Sequence, residues 1–490
     1  MNIPYEKKSW WESLLEVTDW DTEHQRLCSL AAIYTVGEFT ETTAALVELA
    51  VISHMIGTPQ ANAYIMADFL FELTGTLTVG FQEAIGVLAP QADGSGNDLL
   101  VGRYLQIGTI FYAIFQIPGF IFWSFYMYET VIWFGFDEET AIITQNYSYS
   151  ILLYLMVDGI NECLLTFLEV VDHEKYAMIF AVVRSIIFCC SIISMAASGV
   201  TSMVAIGLAQ SFIELSLMFI NIIFVVNQGW LDDYWEGCFK TIGLKDRRAM
   251  KTTFATALPL SLAWILSSGE WQVMLIFAQS IGPDEVAAWN ILGFVWDLFG
   301  SLTEAIAGAA EVRVGFRMGA GKPAQAKKMA ERSIYIGIHI AILTAGGLFA
   351  IAEFLPYWLT PNPTYQKLIF EQIPLIGFGE ILMVPGMVIE GVFCAQGRVK
   401  LMTIIEIFVS WFIAIPLAAI LVYNYNFNLG GIVSALVVGY SFGATLLMFF
   451  FLRSDWEKLS KNVVKRNAVD GYSEDAWNDD SSSSSSDESS

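Results

Sequence analysis

Charge is scarce in this 490-residue chain: 15% of residues are Asp, Glu, Lys or Arg, against 55% that are apolar, and the mean hydropathy is +0.54. Soluble domains carry about 25% charged residues, so a chain that meets water over most of its surface is excluded. Bases are scarcer still, 25 Lys and Arg against 49 Asp and Glu, which argues against a nucleic-acid partner. The four histidines (His24, His54, His173, His339) are scattered and show no HExxH or other metal-ligand spacing. The six cysteines lie mostly in apolar stretches with neither a disulfide framework nor a metal pattern. No nucleotide-binding motif is present, since the GAGK at 319–322 lacks the leading glycine of a phosphate loop and Pro323 follows it. No nucleophile, metal or cofactor constellation appears, so an enzyme is the weakest expectation and no cofactor is expected beyond a coupling H⁺ or Na⁺.

What the chain has instead is apolar stretches of spanning length. A hydrocarbon core of about 30 Å needs roughly 20 apolar residues per helix. Spans are predicted near 28–56, 62–89, 104–128, 142–169, 176–198, 203–227, 253–280, 286–311, 333–356, 367–395, 400–422 and 429–452. The expected fold is therefore all-α integral membrane, twelve transmembrane helices. Residues 9–20, with Trp10, Trp11 and Trp20 nearby, could form a surface helix. Lys and Arg fall almost entirely in alternate loops; Lys367 is the exception, and Arg184 lies inside a span. The positive-inside rule then places both termini in the cytoplasm. The end of the chain is acidic and Ser-rich, with Ser481–Ser486 open to phosphorylation, and reads as a solvating disordered tail.

The chain also repeats. At an offset of 225 residues DFLFELTGTLT (68–78) lies over GFVWDLFGSLT (293–303), and in the same register Gly94-Ser95-Gly96 lies over Gly319-Ala320-Gly321. Two six-helix bundles related by a pseudo-twofold axis along the membrane normal follow. The predicted divisions are 1–27 (cytoplasmic N-terminus), 28–227 (N-lobe), 228–252 (cytoplasmic connector), 253–454 (C-lobe) and 455–490 (tail), with the transport path between the lobes.

Ionisable groups inside spans cost about 2.5–3.5 kcal/mol each at the bilayer centre. This chain nonetheless places many acids there, from Glu38 and Glu41 to Glu406, and one base, Arg184. Any single acid could lie near a headgroup or be satisfied locally; the excess of acids points to a negative path that favours cations and can take up protons. Glu72 and Asp297 are the leading pair, because the repeat puts a carboxylate at both positions. Glu48 and Glu270 occupy similar faces of the first helix of each half, and Asp158, Glu380 and Arg184 complete the candidate set.

The segment AEVRVGFRMGAGKPAQAKKMAER (310–332), containing Arg313, Gly315, Gly319 and Gly321, resembles the signature after the eighth helix of multidrug and toxic compound extrusion (MATE) transporters of eukaryotic type. LAPQADGSGNDLLVGRYLQIG (88–108), with Gln91 and Gly94, is similar to that family's first-half loop, and the likeness covers most of 28–452. The resemblance implies a twelve-helix export carrier in which inward H⁺ or Na⁺ flow drives efflux of small organic, often cationic compounds. By the same resemblance Glu48 stands at the first-helix acid, while Glu270, Asp297 and Glu380 lie about one turn from the family's positions. Arg184 falls where many relatives have Asn. The expected protein is a monomeric multi-pass carrier in the lipid bilayer of a plasma membrane or a vacuolar or other endomembrane. The alternatives are a lipid-linked oligosaccharide flippase of the same superfamily, or a non-transporting scaffold or receptor that keeps the fold.

Overall fold

Hydrocarbon offers no partner to backbone N–H and C=O groups, so spanning segments must satisfy them internally, and the structure is built from long helices. It is a computed structural model and describes residues 22–360 and 362–468. The surface helix expected at 9–20 and the serine run at 481–486 lie outside the described residues.

The N-lobe comprises α1 (Thr22–Val51, continued by a wide turn over Ile52–Ile56), α2 (Thr58–Gly94), α3 (Asp98–Trp133), α4 (Glu138–Val170), α5 (Glu174–Ala197) and α6 (Met203–Asn227). The C-lobe comprises α7 (Arg247–Ile281), α8 (Pro283–Gly319), α9 (Pro323–Ile351), α10 (Pro363–Ala395), α11 (Val399–Asn424, wound partly as π-helix) and α12 (Asn428–Leu452). Eleven of these helices are long and apolar enough to cross a membrane by composition. The twelfth, α2, has the length but carries Asp68, Glu72, Glu83 and Asp93, and it is shielded from lipid by neighbours on several sides. Caps set helix starts on the basic face: Asn97 Oδ1 accepts from Leu100 N at 3.1 Å and Asp246 Oδ1 from Ala249 N at 3.0 Å. Large apolar side chains such as Phe125, Phe212, Ile220 and Leu343 are exposed, as a lipid-facing surface requires.

Between the lobes, α2 packs on α7 and α8, and α8 packs on α1. The 225-residue offset pairs α1 with α7 and α2 with α8. The α1–α8 and α7–α2 contacts are therefore equivalent, and the axis passes between α2 and α8. The clearest trace of it is at the face bearing most Lys and Arg. A Cβ added to Gly94 would collide with the Phe316 carbonyl, and a Cβ added to Gly319 would collide with the Gln91 carbonyl. Gln91 and Phe316 are themselves one offset apart. The turns that follow use Gly96 at φ +69° and Gly321 at φ +68°, a region that favours glycine.

The connector is folded onto the N-lobe. Arg103 Nη1 lies 2.8 Å from Asp246 Oδ2, and Gln106 donates to the Cys238 and Thr241 carbonyls at 2.8 and 3.2 Å. The stretch 455–490, expected as an unstructured tail, needs correction: it begins with α13 (Trp456–Asn467), capped by Asp455 accepting from Lys458 N at 3.0 Å. Trp456, Ser460, Val463 and Asn467 share its buried face. Ser460 donates to the Met318 carbonyl at 2.9 Å, Asn97 donates to the Asn467 carbonyl at 2.7 Å, and Arg466 bonds Gln91. One short helix thus touches both lobes beneath the paired glycines.

Candidate functional site

A cavity of about 870 Å³ lies between the lobes. Six N-lobe carboxylates line it, Glu38, Glu41, Glu72, Glu83, Glu162 and Glu169, and five from the C-lobe, Asp297, Glu304, Glu311, Glu390 and Glu406. No Lys, Arg or His is among the described residues lining it. Aromatic faces are interleaved: Trp264, Trp271, Trp296, Tyr34 and Tyr440. Trp271 meets Trp296 edge-on with ring centroids 5.9 Å apart, and Trp264 Nε1 donates to Glu83 Oε1 at 2.6 Å. Ligand pockets are ordinarily mostly apolar with a few polar groups; eleven carboxylates beside aromatic faces instead suit a cation, by charge and by cation–π contact. The lining ends at Val87, Val312 and Cys394, a turn or two above the glycine seal.

A smaller N-lobe cavity of about 260 Å³ shares Glu41 with the first and is bordered by Glu48, Tyr64, Asp68, Tyr147, Tyr154, Arg184 and Gln210. Glu48 is buried and its Oε2 accepts from Gln210 Nε2 at 3.2 Å and Tyr64 at 3.4 Å. Arg184 on α5 sits among four carboxylates: Asp158 Oδ1 at 2.8 Å, Glu162 Oε1 at 2.6 Å, Glu41 Oε1 at 3.1 Å and Glu214 Oε1 at 3.9 Å. A polar file runs inward to it. Tyr176 donates to Asn221 at 2.9 Å, Asn221 to Asn161 at 2.7 Å, and Asn161 to Glu214 at 3.1 Å.

The sequence-predicted residues therefore separate into groups. Glu72 and Asp297 both line the central cavity; Glu48 and Arg184 border the smaller one, with Asp158 bound to Arg184. Glu270 and Glu380 border neither cavity and are buried within the C-lobe. Tyr440 donates to Glu270 Oε2 at 2.8 Å and Thr303 to Glu380 Oε1 at 3.3 Å. Glu48 and Glu270 have matching surroundings, each bonded to the sixth helix of its own lobe. The motif residues serve the seal: Gly94 and Gly319 as above, Gly315 against Pro90 and Gln91, and Gln91 donating to the Cys394 and Ala395 carbonyls at 3.3 and 3.1 Å. Arg313 lies on the same stretch of α8, two turns from Gly321.

Glu169 and Glu311 were absent from the sequence-based set. Both stand at the last position of a predicted span, where an acid reads as a headgroup contact, yet both face the cavity. The repeat offered no signal for Glu311, because its equivalent position on α2 is Gly86; only the fold brings the two together, 3.8 Å separating the Glu311 carboxylate from a Cβ built on Gly86. Among the described residues no cluster of His, Cys, Asp or Glu is arranged to hold a metal ion.

Two equivalent six-helix lobes, sealed together at one end and enclosing a charged cavity, define a membrane carrier. A family model described as MatE matches residues 35–193 and 259–420, one block in each lobe, and the chain belongs to that family of secondary transporters of small organic substrates. It is similar to a Schizosaccharomyces pombe protein described as an uncharacterized transporter, 24% identical over 442 residues that cover 87% of this chain and 77% of that one. It is also similar to the multidrug and toxin extrusion protein 1 of Xenopus tropicalis, 22% identical over 91% of this chain and 76% of that one. Its fold matches the crystal structure of the eukaryotic MATE transporter AtDTX14 at TM-score 0.78 with 16% identity, covering 91% of this chain and 99% of that one. A point variant of the Vibrio cholerae MATE transporter VcmN matches at TM-score 0.82 with 12% identity, covering 91% and 100%.

Proposed function

We propose that this protein is a secondary exporter of small organic cations, driven by protons moving the other way as the two lobes alternate access. The single observation that supports it is the interface cavity, with eleven carboxylates, of which Glu41 and Glu162 are paired with Arg184 behind them, and no base among its described lining residues. Such a charge, placed in low-dielectric surroundings, has to be balanced by cations or protons. Competition between the two for the same carboxylates is the physical basis of exchange: a bound organic cation stabilises ionised acids, and a proton displaces it by neutralising them.

With the basic face as cytoplasmic, the sealed glycine turns close the cytoplasmic end and the cavity faces outward, the state from which substrate leaves and protons enter. Both termini are then cytoplasmic, and the carrier works as a monomer in a plasma membrane or an endomembrane. A flippase for pyrophosphate-linked lipids is disfavoured, because such a head needs bases and Arg184 is already held by carboxylates.

The test is efflux of a fluorescent organic cation from proteoliposomes under an imposed pH gradient. Glu72→Gln with Asp297→Asn removes the symmetry-related pair at the cavity and is expected to reduce proton-driven transport by at least about tenfold, the effect of losing ~1.4 kcal/mol of binding. Unchanged transport in that double variant would remove these two residues from the site.

A further inference from the structure

Four carboxylates from three helices surround a single guanidinium in the N-lobe, and two of them, Glu41 and Glu162, also line the central cavity. Arg184 is 8% exposed. Asp158 and Glu162 reach it from α4, Glu41 from α1 and Glu214 from α6. Tyr154 of α4 also faces the guanidinium, and Glu38 of α1 faces Glu162. Glu214 is fully buried; its Oε1 accepts from Asn161, and its Oε2 has no hydrogen-bond partner. With every acid ionised the cage of Glu41, Asp158, Glu162 and Glu214 holds four negative charges against one positive, a formal excess of three.

Such an excess attracts cations, and the occupied centre decides which. A hard metal cation needs several oxygens converging on one point. Here Asp158, Glu162 and Glu41 converge within 3.1 Å on the guanidinium nitrogens instead. A second full charge brought to that point would also face Arg184 at contact distance. A proton needs a single oxygen, and Glu214 Oε2, buried and without a hydrogen-bond partner, offers one.

We propose that Arg184 is the specificity-determining residue for the coupling ion: its guanidinium holds the place an alkali cation would take, so the N-lobe cage accepts protons and rejects Na⁺. This rests on the exchange mechanism above, whose cavity shares Glu41 and Glu162 with the cage, and gives a structural reason for that mechanism to use protons rather than Na⁺.

The experiment reads Na⁺ binding apart from transport. Thermal unfolding of detergent-solubilised full-length protein is followed in NaCl and in choline chloride at equal ionic strength, because a ion bound only by the folded state raises Tm. Wild type and Arg184→Lys, which keeps a charge at the centre, are expected to show the same Tm in both salts. Arg184→Gln is expected to gain a Na⁺-specific rise in Tm. Arg184→Gln combined with Glu162→Gln keeps the formal excess of three but empties the centre, and carries the same expectation should the single variant fold poorly. A parallel arm measures dye uptake in proteoliposomes with Na⁺ and pH gradients imposed separately. A Na⁺-specific rise in wild-type Tm, Na⁺-driven wild-type uptake, or folded Arg184→Gln variants blind to Na⁺ would each overturn the role given to Arg184. Absence of pH-driven uptake in wild type would instead bring down the exchange mechanism itself.

Discussion

Placing a methyl group at Gly94 or Gly319 should pry open the basic face. A Cβ at Gly94 would stand 2.9 Å from the carbonyl carbon of Phe316 and nearer to its oxygen; one at Gly319 would stand 2.8 Å from the carbonyl carbon of Gln91. Carbon atoms settle at about 3.5 Å or more, so the lobes must separate by at least about 0.6 Å against backbone that cannot rotate away. Overpacking of this kind costs about 1–3 kcal/mol. Borne only by the sealed state, that lowers its population relative to the opened one by about fivefold to a hundredfold or more. Gly94→Ala and Gly319→Ala should have effects of similar size, since each meets the symmetry-related carbonyl, and the double variant should cost less than their sum because one separation relieves both clashes. Gly75→Ala, which meets nothing within 4 Å, serves as the control. The assay is labelling of a cysteine introduced on α13 by an impermeant maleimide from the basic side of inside-out vesicles, alongside dye transport. Labelling and transport of both alanine variants indistinguishable from Gly75→Ala would refute the assignment of these turns as the seal.

Two further outcomes follow from local geometry. Tyr440→Phe removes the donor to Glu270 Oε2, a side chain with no exposed surface whose Oε1 is already without a hydrogen-bond partner; a loss of about 1–3 kcal/mol is expected, read as a lowered Tm that Glu270→Gln alleviates, and an unchanged Tm would contradict it. The Cys238 thiol lies in the connector, where burial pushes its pKa up to about 12; it should resist iodoacetamide at pH 8 in folded protein, and rapid alkylation there would show that the connector does not pack on α3.

The spans were legible because hydrophobic length is a property of contiguous residues; even α2 was found, despite the four acids that keep it below the apolarity of its neighbours. The repeat made the pairing of α2 with α8 readable, and with it Glu72 and Asp297 at one cavity. It could not show that Gly94 and Gly319 meet each other's partner carbonyls, because the offset fixes equivalence and says nothing of distance. Arg184 was visible as a misplaced base, but its cage draws on α1, α4 and α6, residues that only the folded bundle gathers. Glu169 and Glu311 were missed because an acid at the end of a span reads as a headgroup contact. The start of α13 was read as tail, although Trp456, Leu459, Ser460 and Val463 recur at helical spacing; the acidic composition that follows masked it.

Wild-type protein in sealed proteoliposomes, loaded with a fluorescent organic cation and given a pH jump with membrane potential clamped, tests the central claim most directly. Exchange through the carboxylate-lined cavity predicts that dye leaves against its own gradient while protons enter, and that collapsing the pH gradient with nigericin stops both. Dye movement that ignores the pH gradient, or proton flow that continues at the same rate without dye, would contradict it.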